Sequence, residues 1–337
     1  MTGRIDIVVT WVDDTDAEWR ALRDEHLVRS GADASEVASA DRFRSWDLLR
    51  FWFRGIAEHC PWAGTIHLVT QSPHPAWLDT DHPRVRVVRH EEFIPADYLP
   101  TFNSRTIELN LHRIPGLSER FVSFNDDTFV LRPLPPSHFF RGDLPVGFGI
   151  MNALSLADNV SHAILNNVHL LNTHFAKRRV LRRSPLRWFN PRYGRGLLQN
   201  IALSPWPRFT GFLNHHLPLP LRRATMARVW DSAGIHLDRT CRSRFRSLRD
   251  VNVYLFSWWA LCENAFAPAN PSRYGKFIQL SDAALDRACD IVVGARTPMV
   301  CLNDGPLDFE HARARLTAAF TSLLPAPCEF ERSEEGS

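Results

Sequence analysis

No two of the six cysteines stand at CxxC spacing, and no stretch approaches the roughly 18 consecutive apolar residues of a membrane-spanning helix. The first absence removes a zinc ribbon or disulfide framework and leaves the cysteines to be read as buried thiols. The second combines with an N-terminus, "MTGRIDIVVTWVDD", that reaches a carboxylate too soon for a signal peptide. The expectation is a cytoplasmic protein. Excess charge is missing too, because 40 Lys+Arg against 37 Asp+Glu leave a net +3. That is too little to imply a nucleic-acid partner. Internal repeats and long linkers are also absent.

What is present is an ordinary globular composition, 45% apolar and 23% charged over 337 residues, enough for a large core in one domain or two modest ones. The basic residues are overwhelmingly arginine, whose planar fork suits phosphate. "IDIVVTWV" (5–12) reads as a buried strand delivering Asp13, Asp14 and Asp16 to a polar loop, where open α/β sheets bind ligands. Residues 41–60 set Trp46, Leu49, Phe53 and Ile56 at helical spacing before Pro61. "TIHLVTQ" (65–71) and "RVRVVRH" (84–90) are further strands, so the order implies parallel, right-handed crossovers. Residues 104–114 form a helix with Ser104 as its N-cap, and "RFVSFNDD" is the strand after it.

From about 151 the texture changes to Asn-, His- and Arg-rich sequence with few strand signals. Residues 177–195, "KRRVLRRSPLRWFNPRYGR", are basic and interleaved with aromatics, an exposed irregular segment or a helix pair. They offer a hold for an anionic acceptor or the anionic inner face of a membrane, with a solvated basic insertion as the plain alternative. Helices are expected over 223–233 and 249–265, a short strand pair over 291–305, and disorder in the tail "CEFERSEEGS". The resulting division is 1–150, 151–210, 211–325 and 326–337.

Three constellations carry chemistry. Asp126 and Asp127 end a buried strand, where a carboxylate pair can hold a divalent cation that also takes substrate phosphates. They could equally cap a turn before "RPLPP". His215 and His216 precede a proline-broken segment, and a fixed neutral imidazole is a natural general base, or else a surface-loop residue. "CRSRFRSLRD" (241–250) clusters Arg242, Arg244, Arg246 and Arg249, either a phosphate clamp or a solvated basic face.

Together these segments resemble the Stealth family of sugar-phosphate transferases in four blocks. They are "IDIVVTWVDDTDAEW", then "RFRSWDLLRFWFRGIAEHC" running on through "LPTFNSRTIELNLHRIPGLSERFVSFNDDTFVLRPLPPSHFF", then "HHLPLPLRRATMARVW" with "SRFRSLRDVNVYLFSWW", and finally "VCLNDG". Asp14 stands where the family usually carries glycine. The resemblance implies a GT-A-like, Rossmann-like αβα sandwich with a mainly helical second part. It implies that Trp11, Val12 and Asp13 lie at the nucleotide, with Arg44, Asn103 and Ser104 as further donor contacts. Asp126, Asp127, Asn303 and Asp304 would lie near Mg2+ or Mn2+, His216 would be the base, and Arg246 would stabilise phosphate. The implied reaction moves a sugar 1-phosphate from a nucleotide-diphosphate sugar, a UDP-sugar by preference, to a glycan hydroxyl in capsule or exopolysaccharide synthesis. A conventional glycosyltransferase and a non-catalytic glycan-binding protein are the rivals.

Overall fold

The computed structural model describes residues 3–30, 44–155 and 159–332. Four short segments rich in β-branched or aromatic residues pair in parallel: β1 (Ile5–Thr10), β2 (Ile66–Val69), β3 (Val85–Val88) and β4 (Arg120–Asn125). A parallel sheet is covered on both faces, so its strands read as nearly unbroken apolar runs. Ile7 and Val8 point to opposite faces and both are fully buried. The chain leaves β4 through Asp126 and Asp127 into β5 (Thr128–Val130), then forms a small hairpin of β6 (Phe140–Arg141) and β7 (Leu144–Gly147).

A later strand, β8 (Leu219–Arg222), lies antiparallel beside β4 and completes a five-stranded sheet of order β3-β2-β1-β4-β8. Sequence after residue 210 thus enters the same sheet as sequence before 130. The strand β9 (Ala267–Pro268) pairs with β7, and β10 (Lys276–Gln279), β11 (Met299–Asn303) and β5 form another three-stranded sheet. Ile5, Ile7 and Val9 pack in one core with the helices Leu49–His59, Asp282–Val293 and Phe309–Leu323. Val8 and Phe121 pack in another with Ser104–Asn110, Arg223–Cys241 and Tyr254–Cys262. The architecture is the expected α/β sandwich.

Several local expectations give way. The helix predicted from 41 begins at Leu49, because Asp47 takes φ +55°, outside the right-handed helical region. Trp46 is left on the loop, edge-on to Phe309 at 4.8 Å, and residues 41–43 lie outside the described ones. At Ser104–Asn110 the N-cap is Asn103, whose side chain accepts from the Arg105 amide at 3.2 Å. Of the strand pair expected over 291–305 only β11 forms. Leu285, Ala288, Cys289 and Val292 are buried at helical spacing, so residues 291–293 end a helix instead. The basic stretch is a helix pair, Lys177–Arg183 and Pro185–Trp188, with Trp188 fully buried.

The tail is not disordered through Arg332. Phe330 is fully buried, its carbonyl accepts from Asp79, and Glu331 receives a two-pronged bond from Arg54 at 2.6 and 2.9 Å. Residues 333–337 lie outside the described ones. Arg54 belongs to the Leu49–His59 helix, whose Gly55 has no room for a Cβ, which would lie 2.7 Å from the Val130 carbonyl. Removing one partner of a buried ion pair strands the other charge, so Glu331→Ala should cost about 3 kcal/mol. Chemical denaturation checks this. Arg54→Met combined with Glu331→Leu should recover most of the loss.

Candidate active site

The strand order runs outward on one side of β1 through β2 and β3, and on the other side through β4, so β1 and β4 flank a topological switch point. Ligands of open α/β sheets bind beyond the carboxyl ends of the strands at such a point. A cleft of about 610 Å³ opens there, reached by Thr10 at the end of β1 with Trp11 and Val12 beyond it, Val69 at the end of β2 with Gln71 beyond it, and Asn125 at the end of β4. The volume suits a nucleotide-sized ligand.

Asp126 and Asp127 occupy the two-residue turn by which the chain passes from the large sheet to the small one. The turn and the site are one feature: the Asp127 carbonyl accepts from the Leu302 amide, while both acids line the cleft. Water reaches Asp126 through the cleft, yet protein crowds it elsewhere, and burial with the neighbouring Asp127 charge pushes its carboxyl up to about 7. Burial raises Asp127 as well. The Thr128 hydroxyl donates to it at 2.9 Å, the Cys301 thiol at 3.4 Å, and the nearby His216 also favours its charged form.

Arg246 is the member of the arginine cluster that lines this cleft, donating to Ser104 Oγ at 2.8 Å. Arg242 pairs with Asp238 at 3.0 Å, and Arg244 donates to the Pro100 carbonyl at 2.6 Å. The Arg246 loop is held from beneath by Asn103. Its buried amide donates to the Ser243 and Phe245 carbonyls and to Asp250. Asn103 thus supports the arginine loop with an amide whose protons are committed, and it does not line the cleft itself. Ser104 does line the cleft.

Trp11 and Val12 line the cleft as expected, whereas Asp13 is turned to its own loop, where Oδ1 accepts from the amide and hydroxyl of Thr15 at 2.9 and 2.6 Å. Asp14 accepts from the Ser45 amide at 3.1 Å, tying this loop to the segment that carries Arg44. Arg44 forks onto Asp304 at 3.0 and 2.5 Å and stacks over Phe309 at 4.0 Å. That pair joins two expected site residues, both of which line the cleft, and the guanidinium offsets the Asp304 charge there. Asn303 lines the cleft and donates to Gln279 at 2.8 Å.

His216 is exposed, adopts φ +44°, and its ring lies 5.0 Å from Phe277 and 6.2 Å from Tyr254. A histidine tolerates this left-handed backbone better than most residues, and such strain concentrates at functional sites. Its neighbour His215 turns inward against Phe148 at 5.0 Å, and burial pushes it down to about 3. Alternation of the pair separates an exposed imidazole from an inward-turned one.

Glu108 carried no site role in the sequence reading, yet it lines the cleft beside Ser104 and Ile107 of the same short helix. Burial raises its carboxyl, opposed by Arg246 and Arg105, and its charge is felt by the Tyr254 hydroxyl. The signal was legible in principle: Ser104 and Glu108 are four residues apart and share a helix face. Among the described residues no group of three or more His, Cys, Asp and Glu is set to hold a metal ion.

Burial also pushes His90 and His112 down to about 4, and with His215 these rings are neutral in the folded protein. The unfolded chain takes up their protons below about pH 6.5, so their contribution to stability is complete above that pH and lost as pH falls toward 4. Asp126 works in the opposite sense, gaining stability as it protonates below 7. His112 lies away from the cleft, so His112→Gln should flatten the fall in Tm between pH 6.5 and 4.5 without altering catalysis. An unchanged slope would contradict the assignment.

Residues 3–25 match the family model described as Stealth protein CR1, conserved region 1, and residues 42–145 match Stealth protein CR2, conserved region 2. The chain is 33% identical over 332 residues to the capsular polysaccharide phosphotransferase WcwK of Streptococcus pneumoniae, covering 98% of each chain. It is 36% identical to the exopolysaccharide phosphotransferase cps2G of Lactiplantibacillus plantarum, covering 97% of this chain and 96% of that one. The receptor polysaccharide phosphotransferase WefC of Streptococcus oralis is 34% identical, covering 98% and 99%. Among solved structures, mouse xyloside xylosyltransferase 1 in its apo form aligns with 89% of this chain and 98% of its own at TM-score 0.36 and 10% identity.

Proposed function

The chain belongs to the Stealth family, and on that premise we propose that it is a phosphotransferase that moves a sugar 1-phosphate from a nucleotide-diphosphate sugar to a glycan hydroxyl in capsule or exopolysaccharide synthesis. The observation that carries the reading is convergence. An acid pair from residues 126 and 127 and an arginine from residue 246 meet in one cleft at the switch point of the sheet, with His216 on the Asp127 side. Phosphoryl transfer asks for positioning and charge neutralisation more than for covalent chemistry, and this is the parts list it requires.

The acceptor hydroxyl would give its proton to His216 as its oxygen bonds to the β-phosphorus. The bond from that phosphorus to the bridging oxygen breaks, and a nucleoside monophosphate leaves. Arg246, held in direction by Ser104 and by the Asn103-braced loop, meets the charge on the transferring phosphoryl oxygens. Glu108, Asp126 and Asp127 make the cleft acidic, so a diphosphate would enter against like charge. The crowding that raises Asp126 supports a divalent cation, Mg2+ or Mn2+, held by Asp126 and Asp127 together with donor phosphates. When bound, such an ion would supply charge neutralisation at the diphosphate.

Incubation with Mg2+, an acceptor and a panel of nucleotide sugars, followed by mass spectrometry of the released nucleotide, tests the reading. A nucleoside monophosphate is expected, and a diphosphate would select glycosyl transfer. His216→Ala should lower turnover by roughly 10²-fold with little change in donor affinity, the behaviour of a lost general base. His215→Ala should act through stability alone. Equal small effects from both would remove the base from this scheme.

A further inference from the structure

No Asp or Glu stands between Asp158 and Asp231. Part of this acid-free run forms a surface that contributes no residue to the cleft lining. On the helix Lys177–Arg183, Lys177, Val180 and Leu181 turn inward, which leaves Arg178, Arg179, Arg182 and Arg183 exposed. Among the described residues no carboxylate pairs with any of these four arginines. Apolar side chains stand in the same segment where a water-facing surface has no use for them. Leu186 is 81% exposed, Leu198 68%, Ile201 53% and Trp206 53%. Leu198 and Ile201 are three residues apart on the helix Arg195–Leu203 and share its outer face, opposite the buried Asn200.

The presentation is built. The ammonium of Lys177, almost wholly buried, donates to the carbonyls of Leu203 at 2.6 Å and Trp206 at 3.0 Å. This bond clips the proline-flanked turn that carries the exposed indole to the start of the arginine helix. Asn200 donates to the Trp188 and Gly149 carbonyls and fixes the second helix beneath. Rigid backbone therefore holds out a tryptophan, two helix-borne aliphatic residues and a row of unpaired arginines together.

We propose that this surface, built by residues 177–208, seats the protein on an anionic lipid bilayer, with Leu198, Ile201 and Trp206 entering the interface and Arg178, Arg179, Arg182 and Arg183 meeting lipid phosphates. Charge complementarity favours an anionic partner, and the exposed apolar tips select a bilayer over a hydrated anionic polymer, which offers them nothing to enter. Tryptophan belongs at the boundary between headgroups and acyl chains, since its ring is apolar and its N–H polar. Each basic residue near an anionic leaflet adds about fivefold to binding, so four arginines give a strong dependence on salt and lipid charge. The inference does not depend on which group the enzyme transfers.

The test is sedimentation of the full chain with vesicles of phosphatidylcholine alone and of phosphatidylcholine with 30 mol% phosphatidylglycerol, a composition chosen as roughly that of an anionic leaflet. Binding should be more than about tenfold tighter to the anionic vesicles and weaken with salt. Trp206→Ala with Leu198→Ser and Ile201→Ser should lower it about tenfold or more even at low salt. Arg178→Gln, Arg179→Gln, Arg182→Gln and Arg183→Gln together should abolish the preference for phosphatidylglycerol. Both variants should keep their Tm and their turnover on soluble donor and acceptor. Lipids brominated near the headgroup should quench fluorescence in the native chain more than in Trp206→Phe. The proposal is overturned by absence of vesicle binding, or by binding insensitive to the apolar substitutions. It is equally overturned if the arginine variant instead loses binding to a soluble polyanion such as polyphosphate while vesicles never bind.

Discussion

Asp127→Asn should lower transfer about 10³-fold, the scale at which removal of one preorganised charge-stabilising group from a reacting centre acts. The substitution is close to isosteric, and its side-chain carbonyl can still accept from the Thr128 hydroxyl, so the turn between β4 and β5 should persist. Stability should not fall. Burial, the larger cause of the rise in Asp126 to about 7, stays in the variant, but removing the neighbouring carboxylate relieves the repulsive part, so the Asp126 carboxyl shifts down. A difference in Tm between native and variant chains that grows from pH 5 to pH 8 in chelator would record that relief. Near-normal turnover of the variant, or of the native protein in excess chelator, would remove the acid pair from the mechanism.

Arg246→Ala should cost a similar factor, about 10³ in kcat, in line with the loss of an arginine that meets charge on a transferring phosphoryl group. Donor KM should change much less than kcat if the contact strengthens only as charge develops. Arg246→Lys keeps a positive charge and loses the planar fork, so it should recover only part of the loss. Arg244→Ala is the control, since that guanidinium is spent on the Pro100 carbonyl outside the cleft. If Arg244→Ala and Arg246→Ala fall equally, the loop as a whole, and not the guanidinium at 246, is what the reaction needs. Asn103→Ala should show that second pattern. It withdraws the bonds to Ser243, Phe245 and Asp250 that hold the loop in place, so it should depress both stability and kcat.

The acid pair shows why a local reading stopped at two alternatives. A cation site and a turn looked like rival accounts of Asp126 and Asp127, yet the turn at these residues also sets both acids in the lining of the cleft. A two-residue turn between sheets leaves both side chains free to point into the space beyond β4. Arg44 and Asp304 show the reverse case. Each is plausible as a site residue by itself, and only their contact, across 260 positions of sequence, reveals that they neutralise each other. His215 and His216 are adjacent in sequence and opposite in environment, because φ +44° at the second turns the two rings to different sides.

By itself the sequence determined that β1 to β4 are buried strands, that these four pair in parallel, and that polar and acidic residues gather at their carboxyl ends. Those properties follow from short-range patterns: β-branched apolar runs must be covered on both faces, and polar residues collect where such a strand meets solvent. Tertiary structure alone decided that β8 joins the sheet beside β4, that the final residues through Arg332 dock on the Leu49–His59 helix, and that Glu108 and Arg246 share one cleft. It also decided that Asn103 braces the loop that carries Arg246. The physical reason is common to all of these. The role of a polar side chain is set by the donor, acceptor or charge across from it, and that partner is brought by a distant part of the chain whose position local periodicity does not encode.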